Sequence, residues 1–210
     1  MNRKAPLKSG TEIVQLPQPR TSNESNTSVE KALLERRSIR EYRNEPLTLD
    51  DLGQLLWAAQ GITYEGIYRT TPSAGALYPL ETYVIVGNVA NLPAGIYRYI
   101  PLDHKLSLIR SGDLRQKLSN ACLCQTSILK APASIVFCAI YSRTTDKYGS
   151  RGIRYVHMEV GCAAQNVSLQ AISIKMGTVA IGAFDDKAVQ SELTLPSEEE
   201  PLLIMPIGKK

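Results

Sequence analysis

The chain contains very little histidine: His104 and His157 are the only two among 210 residues. So few imidazoles would leave a metal cluster short of ligands and would give a nucleophilic triad little choice of base. The signature G-x-S-x-G, the P-loop and the G-x-G-x-x-G fingerprint are also absent, so a hydrolase elbow and a separate dinucleotide site are not expected. The sequence therefore predicts no metal site and none of these catalytic templates.

Cysteine, long apolar runs and concentrated charge are scarce as well. The four cysteines lack the paired spacing of a zinc motif and are predicted to be free core thiols in a reducing compartment. No run reaches the roughly 18 apolar residues of a membrane span, and the N-terminal region lacks the apolar core of a signal peptide. The net charge of +4 comes without a long basic block. These absences predict a cytoplasmic protein with neither a membrane nor a nucleic-acid partner.

The pattern of apolar and polar residues divides the chain into an extended N-terminal arm, residues 1–26, and one domain, residues 27–210. Thr48 and Asp51 form a capping-box pattern before a helix that Gly61 closes, and Thr27 with Glu30 gives a similar start upstream. A further helix is predicted at about 113–123. Strands are predicted at 82–87, 96–100, 105–109, 134–141, 178–182 and 202–207. Such a mixture of elements predicts an α+β fold.

The longest helical pattern covers residues 152–175, and Gly177 is predicted to end it. Its apolar side chains lie on more than one face; they include Ile153, Val156, Val160, Val167, Ala171 and Ile174. Around Gly161 the side chains are small, which permits close approach of another backbone. A helix that is apolar over so much of its circumference has to be buried on several sides. We therefore expect it to lie at a subunit interface.

The most informative segment, T-P-S-A-G-A-L-Y-P-L-E at 71–81, runs directly into a β-branched strand pattern. After Pro72, the residues Ser73, Ala74 and Gly75 carry no large side chain that would keep a flat ligand away from the backbone. On local grounds alone, a plain tight turn is an equally good interpretation.

Two other segments also contain residues suited to ligand binding. Arg36, Arg37, Ser38 and Arg40 group three guanidiniums and a hydroxyl, a set that matches phosphate oxygens, although a solvated basic helix end is the alternative interpretation. Near the C-terminus, I-G-A-F-D-D at 181–186 places small residues after a predicted strand.

In this order and spacing, the three segments resemble the nitroreductase family of flavin mononucleotide (FMN) enzymes, and within it the SagB-type branch that contains the azoline oxidases. The resemblance covers about residues 28–208. It implies a mixed sheet flanked by helices, an intertwined homodimer with FMN at the subunit interface, and a nicotinamide donor, NAD(P)H, that stacks directly on the flavin.

The resemblance also assigns roles within the implied flavin site. Arg36 and Ser38 would hold the phosphate end, and Arg40 would face the pyrimidine edge of the ring, where a positive charge favours the reduced flavin. The small residues at 73–75 and at 182–183 would line the ring. One of Lys209 and Lys210 would meet the phosphate, and the sequence leaves open which. The full set of implied cofactor-binding residues is Arg36, Arg37, Ser38, Arg40, Pro72, Ser73, Ala74, Gly75, Ile181, Gly182, Ala183, Lys209 and Lys210.

Lys147 and Tyr148 resemble the Lys-Tyr pair to which catalysis is assigned in azoline oxidases. Dehydrogenation of an azoline requires a base for one proton while a hydride departs. The alternative interpretation is an ordinary exposed polar loop. The sequence thus predicts an FMN oxidoreductase and leaves three readings open: NAD(P)H-dependent reduction of nitroaromatics or quinones, oxidation of azolines in modified peptides, and a non-catalytic flavin-binding protein. The short N-terminal arm favours the reductase.

Overall fold

The structure is a computed structural model that describes residues 12–21, 27–64 and 66–210. The helices are α1 (Val29–Glu35), α2 (Leu49–Gln60), α3 (Arg115–Ala121), α4 (Thr126–Lys130), α5 (Ser142–Tyr148), α6 (Arg151–Ser173) and α7 (Asp186–Glu192). The strands are β1 (Ile13–Gln15), β2 (Leu80–Val86), β3 (Gly95–Ile100), β4 (Lys105–Ser111), β5 (Ala133–Ala139), β6 (Met176–Thr178) and β7 (Glu200–Lys209). The predicted α+β class is confirmed.

The seven strands form one sheet in the order β1-β4-β3-β2-β5-β7-β6. Each ladder between neighbouring strands is antiparallel. Within the described ranges, parallel pairing is confined to two isolated bridges, Ser38 with Thr178 and Leu47 with Val89. The sequence implied a sheet of mixed parallel and antiparallel pairing, but parallel pairing is limited to these two bridges. The first of them matters for function, because it attaches the arginine-rich segment to the edge strand of the sheet.

The hydrophobic core lies in two layers, one on each face of the sheet. Alternate residues of β2 divide between them: Val84 and Val86 pack with α2 and α6, whereas Tyr83 and Ile85 pack with α3 and α7. Because side chains alternate across a strand, a strand covered by helices on both faces is apolar at nearly every position. This explains the continuous apolar run at 83–86.

Local helix signals are confirmed where the stabilising contacts are also local. Thr48 and Asp51 form the predicted capping box of α2, and Gly61 ends that helix. A Cβ on Gly61 would lie 2.1 Å from the Trp57 ring, so glycine is required there by a close contact. The prediction of Thr27 as N-cap is wrong by one residue, since the Ser28 side chain accepts from the backbone N–H of Lys31.

The long helix α6 is confirmed, but the prediction that Gly177 ends it is wrong. The helix closes at Ile174, and Lys175 turns the chain with a left-handed φ of +62°. Gly177 lies inside β6, where an added Cβ would approach the Ile39 side chain to 2.6 Å. Glycine at this position serves strand packing and does not cap the helix.

Several elements were not predicted. β1 lies within the arm and pairs with β4, and three short helices, α4, α5 and α7, went unrecognised. All four cysteines are free, as predicted, but only Cys122 and Cys138 are buried; Cys124 and Cys162 are exposed, which corrects their assignment to the core. In the described ranges, none of the helices combines the length and apolarity that crossing a membrane requires.

Candidate active site

The basic segment, residues 36–40, is fastened to the end of the sheet formed by β6 and β7. The backbone N–H of Ile39 donates to the carbonyl of Thr178 at 3.0 Å. Two residues after the segment, the Tyr42 hydroxyl donates to the carbonyls of Ile39 at 2.8 Å and Pro206 at 3.2 Å. The segment therefore has a fixed position on the sheet although the strands it contacts are about 140 to 170 residues away in sequence.

Two glycines make this attachment possible. A Cβ on Gly177 would lie 2.6 Å from Ile39, and a Cβ on Gly208 would lie 2.7 Å from the Tyr42 side chain. Neither distance occurs for real Cβ atoms, so any larger residue would push the basic segment away from the sheet. The close approach of backbone and side chain thus determines where the arginines lie.

The cationic side chains of this region differ in what they already contact. Arg37 donates to the carbonyls of Leu34 and Arg36 at 2.9 and 2.7 Å, so its guanidinium caps the end of α1. Lys209 pairs with Glu45 at 3.1 Å. Arg36 and Arg40 form no side-chain hydrogen bond or ion pair with other described residues, and Arg40 and Ser38 are exposed. Arg36 and Arg40 are therefore the guanidiniums available to an anion.

The small-residue segment forms a strained turn. Gly75 has a left-handed φ of +63°, and Ala76 follows at +54°. The Ser73 hydroxyl accepts a hydrogen bond from the backbone N–H of Tyr78 at 2.9 Å, which closes the turn. Non-glycine residues seldom adopt this conformation, so the surrounding structure holds Ala76 in place. We call residues 73–75 the glycine turn.

The glycine turn lies directly against Lys147 and Tyr148. A Cβ on Gly75 would be 2.8 Å from the Tyr148 hydroxyl oxygen and 3.0 Å from the Lys147 Nζ. Two segments that the sequence singled out independently, more than 70 residues apart, are therefore in contact. Lys147 and Tyr148 lie at the end of a helix, α5, and not in the loop of the alternative interpretation, and Lys147 is exposed.

The helix α5 is held in place by a guanidinium fork. Arg143 donates to the Glu81 carboxylate at 2.6 Å and to the carbonyl of Tyr78 at 3.0 Å. Glu81 also pairs with Arg98 at 2.8 Å. Lys147 lies one helical turn beyond Arg143, so this bidentate contact sets the position of the Lys-Tyr pair relative to the glycine turn.

Comparison with known proteins identifies the fold and the family. The family model described as Nitroreductase family matches residues 33–209. The chain belongs to the nitroreductase family. The "Putative nitroreductase MJ1384" of Methanocaldococcus jannaschii is 48% identical over 182 residues, which are 87% of this chain and 91% of that protein. The protein is therefore an oxidoreductase of this family.

Relatives within the nitroreductase family include peptide-processing proteins. The Microcin B17-processing protein McbC of Escherichia coli is 28% identical over 148 residues, 68% of this chain and 54% of McbC, so the chain spans about half of that protein. The predicted SagB-type branch is confirmed. Among solved structures, a "putative nitroreductase" from Ralstonia eutropha JMP134 has a TM-score of 0.82 at 32% identity, covering 94% of this chain and 89% of that one. A chain of the E. coli microcin synthetase McbBCD complex with truncated pro-MccB17 has a TM-score of 0.71 at 26% identity, and the match covers 93% of this chain and 77% of that one.

The third segment of the nitroreductase resemblance follows β6. Ile181 is buried and pairs with Ile204 through two backbone hydrogen bonds of 2.9 Å. Gly182 and Ala183 are exposed, and a Cβ on Gly182 would meet nothing within 4 Å. Packing within the chain therefore does not require glycine there. Among the described residues, no hydrogen bond or ion pair joins the basic segment to the glycine turn, so neither segment directly positions the other.

Sequence reasoning missed several polar residues of this nitroreductase site. Glu81 ends the 71–81 motif and was visible there, but Arg143 carried no signal before the fold was known. Arg69 and Glu159 were also missed; Glu159 is a buried carboxylate on α6. Burial raises the pKa of Glu159 to about 7, and a hydrogen bond with Ser73 and the charge of Arg69 partly offset that rise. A carboxylate inside an otherwise apolar helical pattern was the signal that could have found it.

Proposed function

We propose that the protein is an FMN-dependent oxidoreductase, and that it reduces nitroaromatics or quinones with NAD(P)H as the reductant. When bound, FMN accepts and donates hydride at N5 of its ring. The observation that carries the proposal is the pair Arg36 and Arg40, whose guanidiniums have no partner among the described residues, on a segment fixed against the sheet. The 48% identical relative named as a nitroreductase, which matches over 91% of its length, favours the reductase reading.

The basic segment fits the phosphate of FMN. Arg36 and Arg40, which have no partners in the part of the chain that the structure describes, and the exposed Ser38 hydroxyl offer donors for phosphate oxygens in a bidentate arrangement. Lys209 would have to leave Glu45 to join them, at little cost because that pair is largely solvated. Lys210 is exposed, and Arg37 caps α1. In this proposal these two residues add positive charge near the phosphate but do not bind it directly.

The glycine turn fits the flat ring of a flavin. Its residues carry small side chains, and Gly75 exposes backbone beside the Lys147 and Tyr148 end groups. A homodimer with FMN at the subunit interface would let one protomer supply the basic segment and its partner supply the turn. In such an arrangement Gly182 and Ala183 would close over the ring edge.

The cofactor is tested by extraction and chromatography of the released flavin. We expect FMN and no FAD, since the proposed phosphate cluster ends the ligand at a monophosphate. Detection of FAD as the sole species, or a colourless protein that FMN does not reconstitute, would overturn the proposal. Anaerobic stopped-flow reduction with NADH and with NADPH then identifies the reductant.

Replacing Arg36 with alanine should weaken FMN binding by about 1.5–3 kcal/mol, the usual value for a hydrogen bond to a charged group. Fluorescence quenching of FMN by the apoprotein measures the loss. Arg20→Ala is the matched control, because this exposed arginine lies on the arm and has no predicted role in the site. Equal affinities in Arg36→Ala and the unmodified protein would remove Arg36 from the site.

A homodimer built on α6 is the proposed assembly. On its outer surface α6 exposes Ile153, Met158, Gly161 and Cys162, and a Cβ on Gly161 would have no described atom within 4 Å outside the helix's own backbone. Gly161→Leu should leave the fold of one protomer intact while it separates the subunits and releases FMN. Sedimentation and flavin absorbance measure both effects, and a Gly161→Leu dimer with full flavin content would contradict the proposed interface.

A second candidate function is oxidation of azoline rings in modified peptides. The contact of Lys147 and Tyr148 with Gly75 favours it, because this places a phenol and an ammonium beside the proposed ring site. Tyr148, as the phenolate, would take the carbon-bound proton as hydride leaves the substrate for the flavin, and oxygen would reoxidise the flavin. The similarity to McbC and to the McbBCD complex supports the same candidate.

A further inference from the structure

The buried carboxyl of Glu159 is the least satisfied charged group of the helix α6. Its residue is only 3% exposed, and its Oε1 makes no hydrogen bond with any part of the chain that the structure describes. Buried polar atoms are nearly always paired, so an unpaired one in this position needs a physical reason. Packing alone does not supply it, since α6 otherwise buries apolar residues here.

Glu159 lies under the glycine turn. Burial raises the pKa of its carboxyl, and Ser73, on the turn, partly offsets that rise. The Ser73 hydroxyl itself accepts a hydrogen bond from the backbone N–H of Tyr78. Because this hydroxyl accepts from Tyr78, it still has its one proton to donate. Ser73 therefore lies between helix α6 and the Tyr78 hydrogen bond that closes the turn. The route by which Glu159 would act on the turn is therefore this one hydroxyl.

The charged group that faces Glu159 from the segment before the turn is Arg69. Its guanidinium lies 4.4 Å from the centre of the Tyr78 ring and donates to Gln60 at 2.8 Å. The Nε of Arg69 and the Nε2 of Gln60 are also buried without partners among the described residues. Further charges act on Arg69 from β2 and α5, namely Glu81 and Arg143. Three incompletely paired polar side chains therefore surround the base of the turn.

We infer that Glu159 is a positioning residue of the active site, and that gain or loss of its proton changes the hydrogen bonding of the glycine turn through Ser73. The neutral acid competes for the Ser73 hydroxyl as a donor, whereas the carboxylate only accepts, through a stronger charge-assisted bond. Loss of the proton also adds a negative charge beneath the turn. Burial holds the pKa of Glu159 at about 7, so the change falls near neutral pH.

The inference is tested first in the apoprotein, without any flavin. The amide resonance of Tyr78, which donates to Ser73, should shift with pH and show a midpoint of about 7. Glu159→Gln keeps the shape of the side chain and removes its titration, so the same resonance should stay constant. Ser73→Ala should also abolish the shift, and it decides the question if Glu159→Gln does not fold. The inference would be overturned if the Tyr78 amide resonance does not shift with pH, or if it shifts equally in Glu159→Gln.

Matched controls remove the other side chains that ordinarily titrate near neutral pH. His104→Asn and His157→Gln replace the only two histidines of the chain. His157 lies two residues before Glu159 on the same helix, so it reports on any general effect of altering α6. Both variants should retain the shift of the Tyr78 amide resonance with pH. Its loss in either one would assign the transition to histidine and overturn the inference.

A second measurement rests on the proposed FMN function. The added charge should weaken binding of an anionic ligand, so FMN should dissociate more readily above pH 7 than below it. For each pH, the FMN dissociation constant of the unmodified protein is divided by that of Glu159→Gln. We expect this ratio to rise about fivefold or more as the pH passes from below 7 to above it, which is the low end of usual coupling between sites. The ratio cancels the titration of the FMN phosphate itself. If the Tyr78 amide resonance shifts with pH but the protein does not bind FMN, the cofactor proposal is wrong and the inference is supported. A ratio that stays constant with pH would overturn the coupling to FMN.

Discussion

If azolines are the substrates, Gly75→Ala should lower turnover about 100-fold, because a displacement of about 1 Å at a reacting group costs that much. The added Cβ would lie 2.8 Å from the Tyr148 hydroxyl oxygen and 3.0 Å from the Lys147 Nζ. The Tyr148 hydroxyl must move away and the Lys147 ammonium must give by a few tenths of an ångström. The arginine fork of Arg143 on Glu81 prevents α5 from following as a unit. Steady-state kinetics on the active substrate measures the loss.

Backbone strain contributes to the same variant and has to be separated from the contact. Alanine at a φ of +63° costs about 1–2 kcal/mol in stability. Gly66→Ala is the matched control, since Gly66 has a φ of +67° and an added Cβ there meets nothing within 4 Å. It should lose similar stability in thermal unfolding and keep its turnover. Comparable activity losses in the two variants would show that strain, and not contact with the Lys-Tyr pair, limits the enzyme.

Tyr148→Phe should divide the two enzymatic candidates. If azolines are substrates, removing the phenol should reduce turnover about 100-fold or more, within the range of general base catalysis. If the protein is a nitroaromatic or quinone reductase, protons can come from water and the variant should react at close to the normal rate. The ring contact between Tyr148 and Tyr155, whose centroids are 5.2 Å apart, is kept in either case, so FMN binding should survive.

The measurement compares both reactions in one pair of proteins. Tyr64→Phe serves as the control, because Tyr64 is 67% exposed and lies outside the site. Nucleotide-driven reduction that is unchanged in Tyr148→Phe, together with no turnover of azoline peptides by the unmodified protein, would eliminate the oxidase candidate. A 100-fold loss confined to azoline oxidation would instead make Tyr148 a catalytic residue.

The sequence predicted best the features whose causes are local. The Thr48 capping box and the end of α2 at Gly61 depend on contacts within a few residues, and periodicity gave α6 to within about two residues at each end. The mistaken stop at Gly177 shows the limit: that glycine is required by Ile39, which is far away in the chain. Nothing near Gly177 in sequence indicates that contact.

The candidate site was predictable through resemblance more than through physics. The resemblance pointed to Gly75 and to Tyr148, but their contact depends on how α5 packs, and α5 itself was not predicted. Arg143 and Arg69 act through partners that only the fold brings near them. A polar group buried by distant elements looks like any surface residue until the fold is known.

The position of β7 has a consequence for how the chain matures. β7 lies between β5 and β6 in the sheet, although it follows both in the chain. During synthesis, β6 thus emerges before the strand that joins it to the rest of the sheet, and the basic segment has only half of its anchorage, since Tyr42 awaits Pro206 and Gly208. The cation cluster can reach its final geometry only when β7 inserts. Binding of the proposed FMN cofactor would thereby depend on insertion of β7, and a nascent chain lacking β7 should not retain FMN.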